Sequence, residues 1–325
     1  MHPAFSVIFL TTLIGAGQGL FLALYTSEVY SAFKVLPAQD PVHFHALGSL
    51  IVLVFLAMGL VSSFFHLGRP ERAWRAAARW RSSWLSREVI VLPAFMAAVA
   101  AWGLIQLTGW NPQLFTLGGE LVITLSLLTG TLASLLSLTL YLCTGMIYAC
   151  IKQLQEWATP LTVINYTLFG LSSGFILATA FAAWKGIGLV EFFGGWAIVL
   201  TIIAFAGRCS SLVRNSLIRH KSTLETALGI RHAQIEQKSQ GSMAGSFNTR
   251  EYFHGATPRK FKSVKWIFLV LVFPVPLLLL SLGLGTQGIS LLMAAFIIQY
   301  IGLLAERWFF FAQANHPQNL YYQTV

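Results

Sequence analysis

The sequence contains eight apolar blocks, most of them about twenty residues long, separated by shorter polar segments. A helix needs about 20 mostly apolar residues to cross the hydrocarbon core of a membrane, because in lipid each backbone N–H and C=O must be satisfied within its own segment. The blocks therefore predict an all-α polytopic membrane protein, an eight-transmembrane-helix bundle that forms a single integral membrane domain of residues 1–325. They cover residues 3–26, 44–66, 87–107, 118–142, 160–184, 191–207, 266–284 and 288–311.

The basic residues are distributed very unequally between the two sides of such a bundle. Eight crossings place both chain ends and every second loop on one side, which we call side A. Side A receives 19 of the 21 lysines and arginines, and only Lys34 and Lys185 fall on the opposite side, side B. Because loops rich in Lys and Arg stay in the cytoplasm, we predict that both termini are cytoplasmic. The net charge of +10 then needs no nucleic acid partner to explain it.

The most basic part of side A is the loop of residues 67–87, between the second and third blocks. Its arginines occur mostly three or four residues apart, which is the spacing of one face of a short helix. Such a face can dock an acidic protein partner, and it can also bind anionic headgroups of membrane lipid, so the two roles are compatible. The arginines that we assign to partner docking are Arg72, Arg75, Arg79 and Arg81.

The longest segment predicted outside the membrane is residues 208–265, also on side A and between the sixth and seventh helices. Residues 210–238 have the pattern of an amphipathic helix, whereas residues 239–260 are rich in Gly, Ser and Asn and predict a loop. The segment has too few aliphatic residues to form an enzyme domain of its own. We interpret it as a docking surface, with a merely solvated loop as the alternative.

Ionisable side chains within apolar helices are costly, so each calls for a reason. Three of them lie near the side A ends of the predicted helices. His66 closes the second block, Glu88 opens the third, and Glu306 lies near the end of the eighth block beside Arg307. If these helix ends converge, the side chains form a polar pocket just inside the membrane.

A pocket of this kind suits a quinone. Reduction of a quinone takes up two electrons and two protons, while the apolar tail stays in lipid. A histidine can donate to a quinone carbonyl and exchange its proton near neutral pH, and a carboxylate can relay protons to water. Aromatic residues such as Trp308 are close in sequence. In the alternative, structural interpretation, His66 caps a helix end, Glu306 pairs with Arg307 or Arg69, and the tryptophans form an interfacial belt.

The cysteines and histidines give little support for a metal centre in this chain. Cys143, Cys150 and Cys209 show no C-x-x-C or other metal-ligand spacing, so we expect no iron–sulfur cluster and no structural zinc here. A haem held by two histidines needs them at matching depth on facing helices. The side A candidates are too scattered for us to expect haem b; they are His2, His66 and His316.

Several small and polar residues predict contacts between helices. Gln18 and Asn165 are expected to hydrogen-bond across helix interfaces, and prolines in the seventh block are expected to kink it. Small residues four apart allow close helix packing. Those prolines are Pro274 and Pro276, and the spaced glycines are Gly15 with Gly19 and Gly170 with Gly174.

Three stretches resemble a known family: "HLGRPERAWRA" and "SWLSREV" around the second and third blocks, and "LLAERWFFFA" near the end. They look like the membrane anchor subunits of dimethyl-sulfoxide reductase-type molybdenum oxidoreductases. The resemblance implies a subunit that carries no metal, anchors a molybdopterin catalytic subunit and an iron–sulfur electron-transfer subunit, and exchanges electrons with ubiquinone or menaquinone. It places the family's quinol-site histidine at His66 and its two helix-end acids at Glu88 and Glu306. With their neighbours included, the residues that we assign to quinone binding are His66, Arg69, Glu88, Glu306, Arg307 and Trp308.

Two departures from the familiar reductases point to a particular branch of the family. Their catalytic subunits lie on the periplasmic side, whereas the face with the His-Leu-Gly loop is the basic, cytoplasmic one here. The long segment of residues 208–265 is also absent from the shorter reductase anchors. Both features fit the branch that serves cytoplasmic sulfite-oxidising complexes in the bacterial inner membrane, with electrons flowing from sulfite to quinone.

Two other classes of function stay open at this point. A proton or solute transporter would have ionisable residues near the membrane midplane and paired repeats of broken helices. A passive tether would hold its partners at the membrane without any redox role. Reduction of a quinone by the whole complex distinguishes the anchor with a quinone site from both.

Overall fold

The computed structural model describes residues 1–118, 121–186, 188–219, 222–232, 234–236, 252–317 and 319. Most of these residues are helical. In chain order the elements are α1 (Phe5–Ala32), a π-helical turn (Pro41–Ala46), α2 (Leu47–Phe64), a 3₁₀ helix (Pro70–Arg79), α3 (Trp84–Thr108), β1 (Gln113–Leu117), β2 (Leu121–Thr124), α4 (Leu125–Ala149), α5 (Pro160–Lys185), α6 (Val190–Ser216), α7 (Leu224–Leu228), α8 (Pro258–Val272), α9 (Pro274–Thr286) and α10 (Ile289–Gln313).

Eight helical spans within this part of the chain are long and apolar enough to cross a membrane. The second consists of the π-helical turn and α2, and the seventh of α8 and α9 together. The predicted all-α, polytopic bundle is therefore confirmed.

The seventh span is interrupted at the predicted prolines. Pro276 has no N–H to donate to the carbonyl of Val272, four residues earlier, so the helix loses a hydrogen bond there. Gln299 of α10 replaces it: its Nε2 donates to the Val272 carbonyl oxygen at 3.3 Å and to Ser172 Oγ at 2.9 Å. Gln299 of α10 thus connects the end of α8, at the break, with α5.

The centre of the bundle is the contact between α1 and α5, the two spans with the largest buried share. The glycine pairs predicted to allow close packing face each other here. A Cβ added to Gly19 would lie 2.0 Å from the carbonyl oxygen of Gly170, and one added to Gly174 would lie 2.1 Å from the carbonyl carbon of Gly19. No side chain fits between these backbones.

The remaining helices surround this pair. α2 and α4 pack on α1 with α3 between them, α6 and α10 pack on α5, and α8 packs on α10. Two predicted hydrogen bonds between helices are confirmed: Gln18 donates to the Ser137 carbonyl oxygen and Asn165 to Ser211 Oγ, both at 2.7 Å. The backbone nitrogen of Met1 donates to the Ala314 carbonyl oxygen at 2.8 Å, so the start of α1 and the end of α10 meet at one end of the bundle. We keep the name side A for that end.

The boundary of the fourth span differs from the prediction. The apolar block was expected to begin at residue 118, but β1 and β2 form an antiparallel hairpin and α4 begins only at Leu125. Gly118 turns the chain with a positive φ of 61°, and Thr124 caps α4 by accepting from the N–H of Leu127. The block is apolar, but its β-branched residues and glycine turn favour a hairpin at its start.

The segment between the sixth and seventh spans is shorter than predicted. α6 continues to Ser216 and α8 begins at Pro258, so helix extends into both ends of residues 208–265. The prediction of a single amphipathic helix over residues 210–238 is wrong within the described residues. After α6 the described residues form the short α7, which begins after the Thr223 cap and ends at Gly229, whose φ is 70°. Residues 237–251 lie outside the described residues.

Candidate functional site

The most deeply buried charges of the described chain meet at side A. Glu306 on α10 contacts two arginines: its Oε1 lies 2.9 Å from Arg208 Nη2, and its Oε2 lies 3.3 Å from Arg307 Nη1. All three residues are at most 4% exposed. The structural interpretation expected Glu306 to pair with Arg307 or Arg69. The pairing with Arg307 is present, but the second partner is Arg208, from a different helix.

Aromatic rings enclose these charges. The guanidinium of Arg307 lies 3.6 Å from the centre of the Tyr166 ring, and that of Arg208 lies 5.3 Å from the ring of Phe268. A cation over a ring face gains electrostatic stabilisation, most when both are shielded from water. The rings therefore help to hold the two arginines inside the bundle beside a single shared carboxylate.

A small cavity of about 10 Å³ adjoins this ion pair, and we call it the Glu306 chamber. Glu156 also lines it, so the formal charges of two arginines and two glutamates balance there. The residues that line the chamber are Glu156, Thr162, Asn165, Tyr166, Arg208, Ser211, Asn215, Glu306, Arg307, Phe310 and Gln313.

Glu88 lies in a second cavity of about 10 Å³, the Glu88 cavity, between α3, α1, α4 and α5. Thr144 of α4 donates a short hydrogen bond to Glu88 Oε1. Tyr166 lines this cavity as well as the Glu306 chamber. The structure thus brings together two of the three ionisable groups predicted from the sequence, and a tyrosine stands between them.

His66 lies at the same end of the bundle but on its surface. It follows the end of α2, and neither of its ring nitrogens has a hydrogen bond to another described residue that would fix the ring. Partial shielding of the ring lowers the pKa of His66 below its ordinary value of 6.5. Arg69 is exposed and precedes the 3₁₀ helix. Among the described residues, no hydrogen bond or ion pair joins His66 or Arg69 to Glu88 or Glu306. The complete convergence expected from the sequence is therefore not formed by this chain's side chains alone.

Trp308, which was assigned to the quinone site, lines neither the Glu306 chamber nor the Glu88 cavity. It is half-buried on α10 and packs among the aromatic and aliphatic side chains of side A, with its ring 6.4 Å from that of His254.

The predicted docking arginines lie on and just after the 3₁₀ helix, and all four are exposed. A 3₁₀ helix has about three residues per turn, so Arg72 and Arg75 lie in one row and Arg79 is displaced from it. The single face expected for an α-helix is thus split. Arg87 fixes the segment to α3, since its Nε donates to the Trp80 carbonyl oxygen and its Nη2 to that of Arg81, both at 2.9 Å.

Sequence reasoning missed Arg208 and Tyr166. Arg208 was counted with the extramembrane segment, because the sixth apolar block was taken to end at residue 207. Arg208 directly follows an apolar run and could have been placed on the same helix. This was the signal in the sequence that could have identified it. Nothing in the local sequence distinguishes Tyr166 from the other tyrosines of the chain.

Sequence reasoning also missed a polar cluster on side B. Glu28, near the end of α1, accepts three hydrogen bonds from α3 and α4: from Trp102 Nε1 at 2.8 Å, Gln106 Nε2 at 2.9 Å and Ser126 Oγ at 2.6 Å. The carboxylate accepts from two helices and ties α1, α3 and α4 together. Among the residues described, no three His, Cys, Asp or Glu side chains come together in a way that could hold a metal ion.

Comparison with known proteins agrees with this architecture. The chain is 55% identical over 325 residues to a sulfite dehydrogenase subunit from Allochromatium vinosum, and the match covers both chains completely. It is 28% identical over 136 residues to the anaerobic dimethyl sulfoxide reductase chain YnfH of Escherichia coli, which covers 41% of this chain and 43% of the other. The family described as "DMSO reductase anchor subunit (DmsC)" matches residues 1–313. The chain is therefore a multi-pass membrane anchor subunit of an oxidoreductase complex, and it belongs to the DMSO reductase anchor subunit family.

Proposed function

We propose that this chain is the subunit through which a sulfite-oxidising complex passes electrons to membrane quinone. Sulfite is proposed as the substrate because the full-length relative is named as part of sulfite dehydrogenase. Oxidation itself would occur on a molybdopterin subunit, with an iron–sulfur subunit between it and this chain. Those two subunits are the partners that we propose for the side A surface.

The charge distribution supports a cytoplasmic location for side A. The exposed arginines around the 3₁₀ helix and the basic residues flanking α6 and α8 all lie at this end, whereas Lys34 and Lys185 lie at the other. Basic loops are retained in the cytoplasm during insertion. We therefore propose that the protein lies in the bacterial inner membrane with both termini and its redox partners on the cytoplasmic face.

The side A residues fit the chemistry of quinone reduction. The reaction adds two electrons and two protons to the quinone and yields a quinol. Electrons would arrive from the iron–sulfur partner. His66, on the surface at the end of α2, can donate an N–H to a quinone carbonyl, and Glu88 can hold a proton within the bundle. Arg69 lies three residues from His66 and can stabilise negative charge on the reduced headgroup.

The observation that carries the proposal is the position of two acids within the bundle, of which Glu306 is fully buried and Glu88 half-buried. Glu88 and Glu306 lie at the same end of the bundle as the exposed arginines, and Tyr166 borders the cavities of both. Carboxylates within an apolar protein are costly to retain, and sites of proton or ion transfer are where they recur. A passive tether would need neither acid.

The test uses the complex purified with its partner subunits. Sulfite-dependent reduction of a quinone analogue is compared with sulfite-dependent reduction of an artificial dye that accepts electrons before the membrane subunit. His66→Ala should abolish quinone reduction and leave dye reduction unchanged, whereas His43→Ala, an exposed histidine on side B, should change neither. Equal quinone reduction by the wild type and His66→Ala would remove His66 from the mechanism. Uptake of a solute by the subunit alone in liposomes would favour the transporter instead.

A further inference from the structure

Unpaired polar atoms are concentrated around the Glu306 chamber. Asn165 Oδ1, Asn215 Nδ2 and Gln313 Nε2 are fully buried and have no hydrogen-bond partner among the described residues. All three residues line the chamber, and so does Tyr166, whose ring stacks on that of Tyr148. Buried polar atoms are almost always hydrogen-bonded, and where protein groups do not pair with them an ordered water does. The chamber, at about 10 Å³, is close to the space that one water needs.

The chamber adjoins an open pocket on the side A surface. This pocket has a volume of about 380 Å³, and Gln155 and Arg214 form part of its lining. Their neighbours in sequence, Glu156 and Asn215, line the chamber. Arg214 Nη1 donates to the Gln155 carbonyl oxygen at 3.0 Å, and this hydrogen bond joins the two segments that line both spaces. Movement of the Arg214 side chain would break this link.

On its inner side the chamber meets the Glu88 cavity at Tyr166. That cavity is also about 10 Å³ and is lined by further polar groups, among them Gln18, Tyr141 and Thr144. The hydroxyl of Tyr166 can both accept and donate a proton. A water on each side of it would complete a hydrogen-bonded chain from the surface pocket to Glu88.

We propose that the Glu306 chamber holds water and carries protons from side A to Glu88 through the hydroxyl of Tyr166. This inference rests on the proposed quinone function, because the protons it delivers are those that the quinone takes up. A proton from the side A pocket first binds to the chamber water as hydronium. This hydronium gives a proton to the Tyr166 oxygen and becomes neutral water again, while the original hydroxyl proton passes to the water beside Glu88. The Glu88 carboxylate gains that proton, and Tyr166 is regenerated when its hydroxyl rotates back.

The ion pair has a defined part in this route. Glu306 shares its charge between Arg208 and Arg307, and the ring of Tyr166 lies under Arg307 at 3.6 Å. These contacts fix the ring of Tyr166, the residue that lines both cavities. Arg307 and Glu306 are therefore positioning residues for the tyrosine, and both are buried.

The first experiment compares Tyr166→Phe with the wild type in the purified complex. Quinone reduction by Tyr166→Phe should fall by about a hundredfold, the lower end of what a positioned proton-transfer group contributes. Dye reduction should be unchanged, and the ratio of the quinone reduction rates in H₂O and D₂O should increase. Tyr300→Phe is the matched control: Tyr300 also lies in a transmembrane helix, where it is half-buried, but its hydroxyl lies 3.2 Å from Thr12 Oγ1 and it lines neither cavity.

A wild-type rate and a wild-type isotope effect in Tyr166→Phe would overturn the relay. A wild-type complex that reduces no quinone would instead refute the proposed function, so the two failures are distinguishable.

The second experiment tests the water directly and needs no variant. X-ray irradiation of bound water produces hydroxyl radicals that label adjacent buried side chains. Phe310 lines the chamber and Phe95 lies in the main apolar core, and both are almost fully buried. Labelling of Phe310 should clearly exceed that of Phe95 in the intact complex. Equal labelling of the two would show that the chamber is dry and would overturn the proposal even if Tyr166→Phe failed to fold.

Discussion

The carboxylate of Glu306 lies 2.9 Å from the guanidinium of Arg208, and the two residues are 0% and 2% exposed. The contact joins α10 to α6, which are separated in sequence by α7, α8 and α9. A buried ion pair gains Coulomb energy but loses the hydration of both charges, so it adds little net stability compared with apolar side chains. Removal of only one partner lowers stability much more, because the charge of the other partner then stays buried without compensation.

Arg208→Met should therefore destabilise the protein strongly. Removing one partner of a buried pair typically costs about 3–5 kcal/mol, and the remaining contact of Glu306 with Arg307 favours the lower end of that range. The free energy of unfolding in mixed detergent micelles measures the effect. Arg81→Met, which removes an exposed arginine, is the control and should change it little. If the loss comes from an uncompensated carboxylate, adding Glu306→Gln to Arg208→Met should restore part of it.

The contact between α1 and α5 predicts opposite effects for two neighbouring glycines. Gly19→Ala brings a Cβ within 2.0 Å of the Gly170 carbonyl oxygen, and backbone cannot move aside cheaply. We expect a loss of about 1–3 kcal/mol, as for other overpacked cores. A Cβ on Gly15 would meet only the Cα of Gly170 at 3.6 Å, an ordinary contact. Gly15→Ala should be neutral or slightly stabilising, and equal thermal stability of the two variants would contradict the observed packing.

The pH dependence of quinone reduction should report on His66. If His66 gives a proton to the reduced quinone, the protonated form is active. Because the pKa of His66 is lowered from 6.5, this form predominates only at a pH below that value. The rate should therefore rise as the pH falls and keep rising past pH 6.5. His66→Gln should lose this dependence while dye reduction keeps the wild-type profile; an unchanged profile in His66→Gln would assign the titration to another group.

The exposed arginines around the 3₁₀ helix should control association with the redox partners. Arg72→Gln and Arg75→Gln each remove one solvent-exposed charge, which is worth roughly 0.2–1 kcal/mol in a surface ion pair. The double variant should release the partner subunits at a lower salt concentration than the wild type, because salt screens exposed charges. Partner retention on an affinity column across a salt series measures this. Lys34→Gln on side B is the control, and identical salt curves for the double variant and the control would exclude these two arginines from docking.

The eight spans and their helical class could be predicted from the amino-acid sequence alone. The energy of membrane insertion is summed along each segment, so a run of about 20 apolar residues predicts a crossing regardless of its neighbours. The same holds for the glycine pairs and for Pro274 and Pro276, whose effects on the backbone are local. Hydrophobicity alone was less informative at the ends of segments, which is why the hairpin before α4 and the extension of α6 past residue 207 were not predicted.

Which polar groups lie close to one another can be seen only in the tertiary structure. Glu88 and Glu306 were identifiable as costly charges near helix ends, but the sequence could not show that Arg208 balances one of them or that Tyr166 lies between their cavities. It also predicted that His66 would join them, whereas the folded chain leaves His66 on the surface. A charge in an apolar segment signals that a partner is needed, but the partner is set by which helices pack together, and that depends on side-chain shape across the whole bundle.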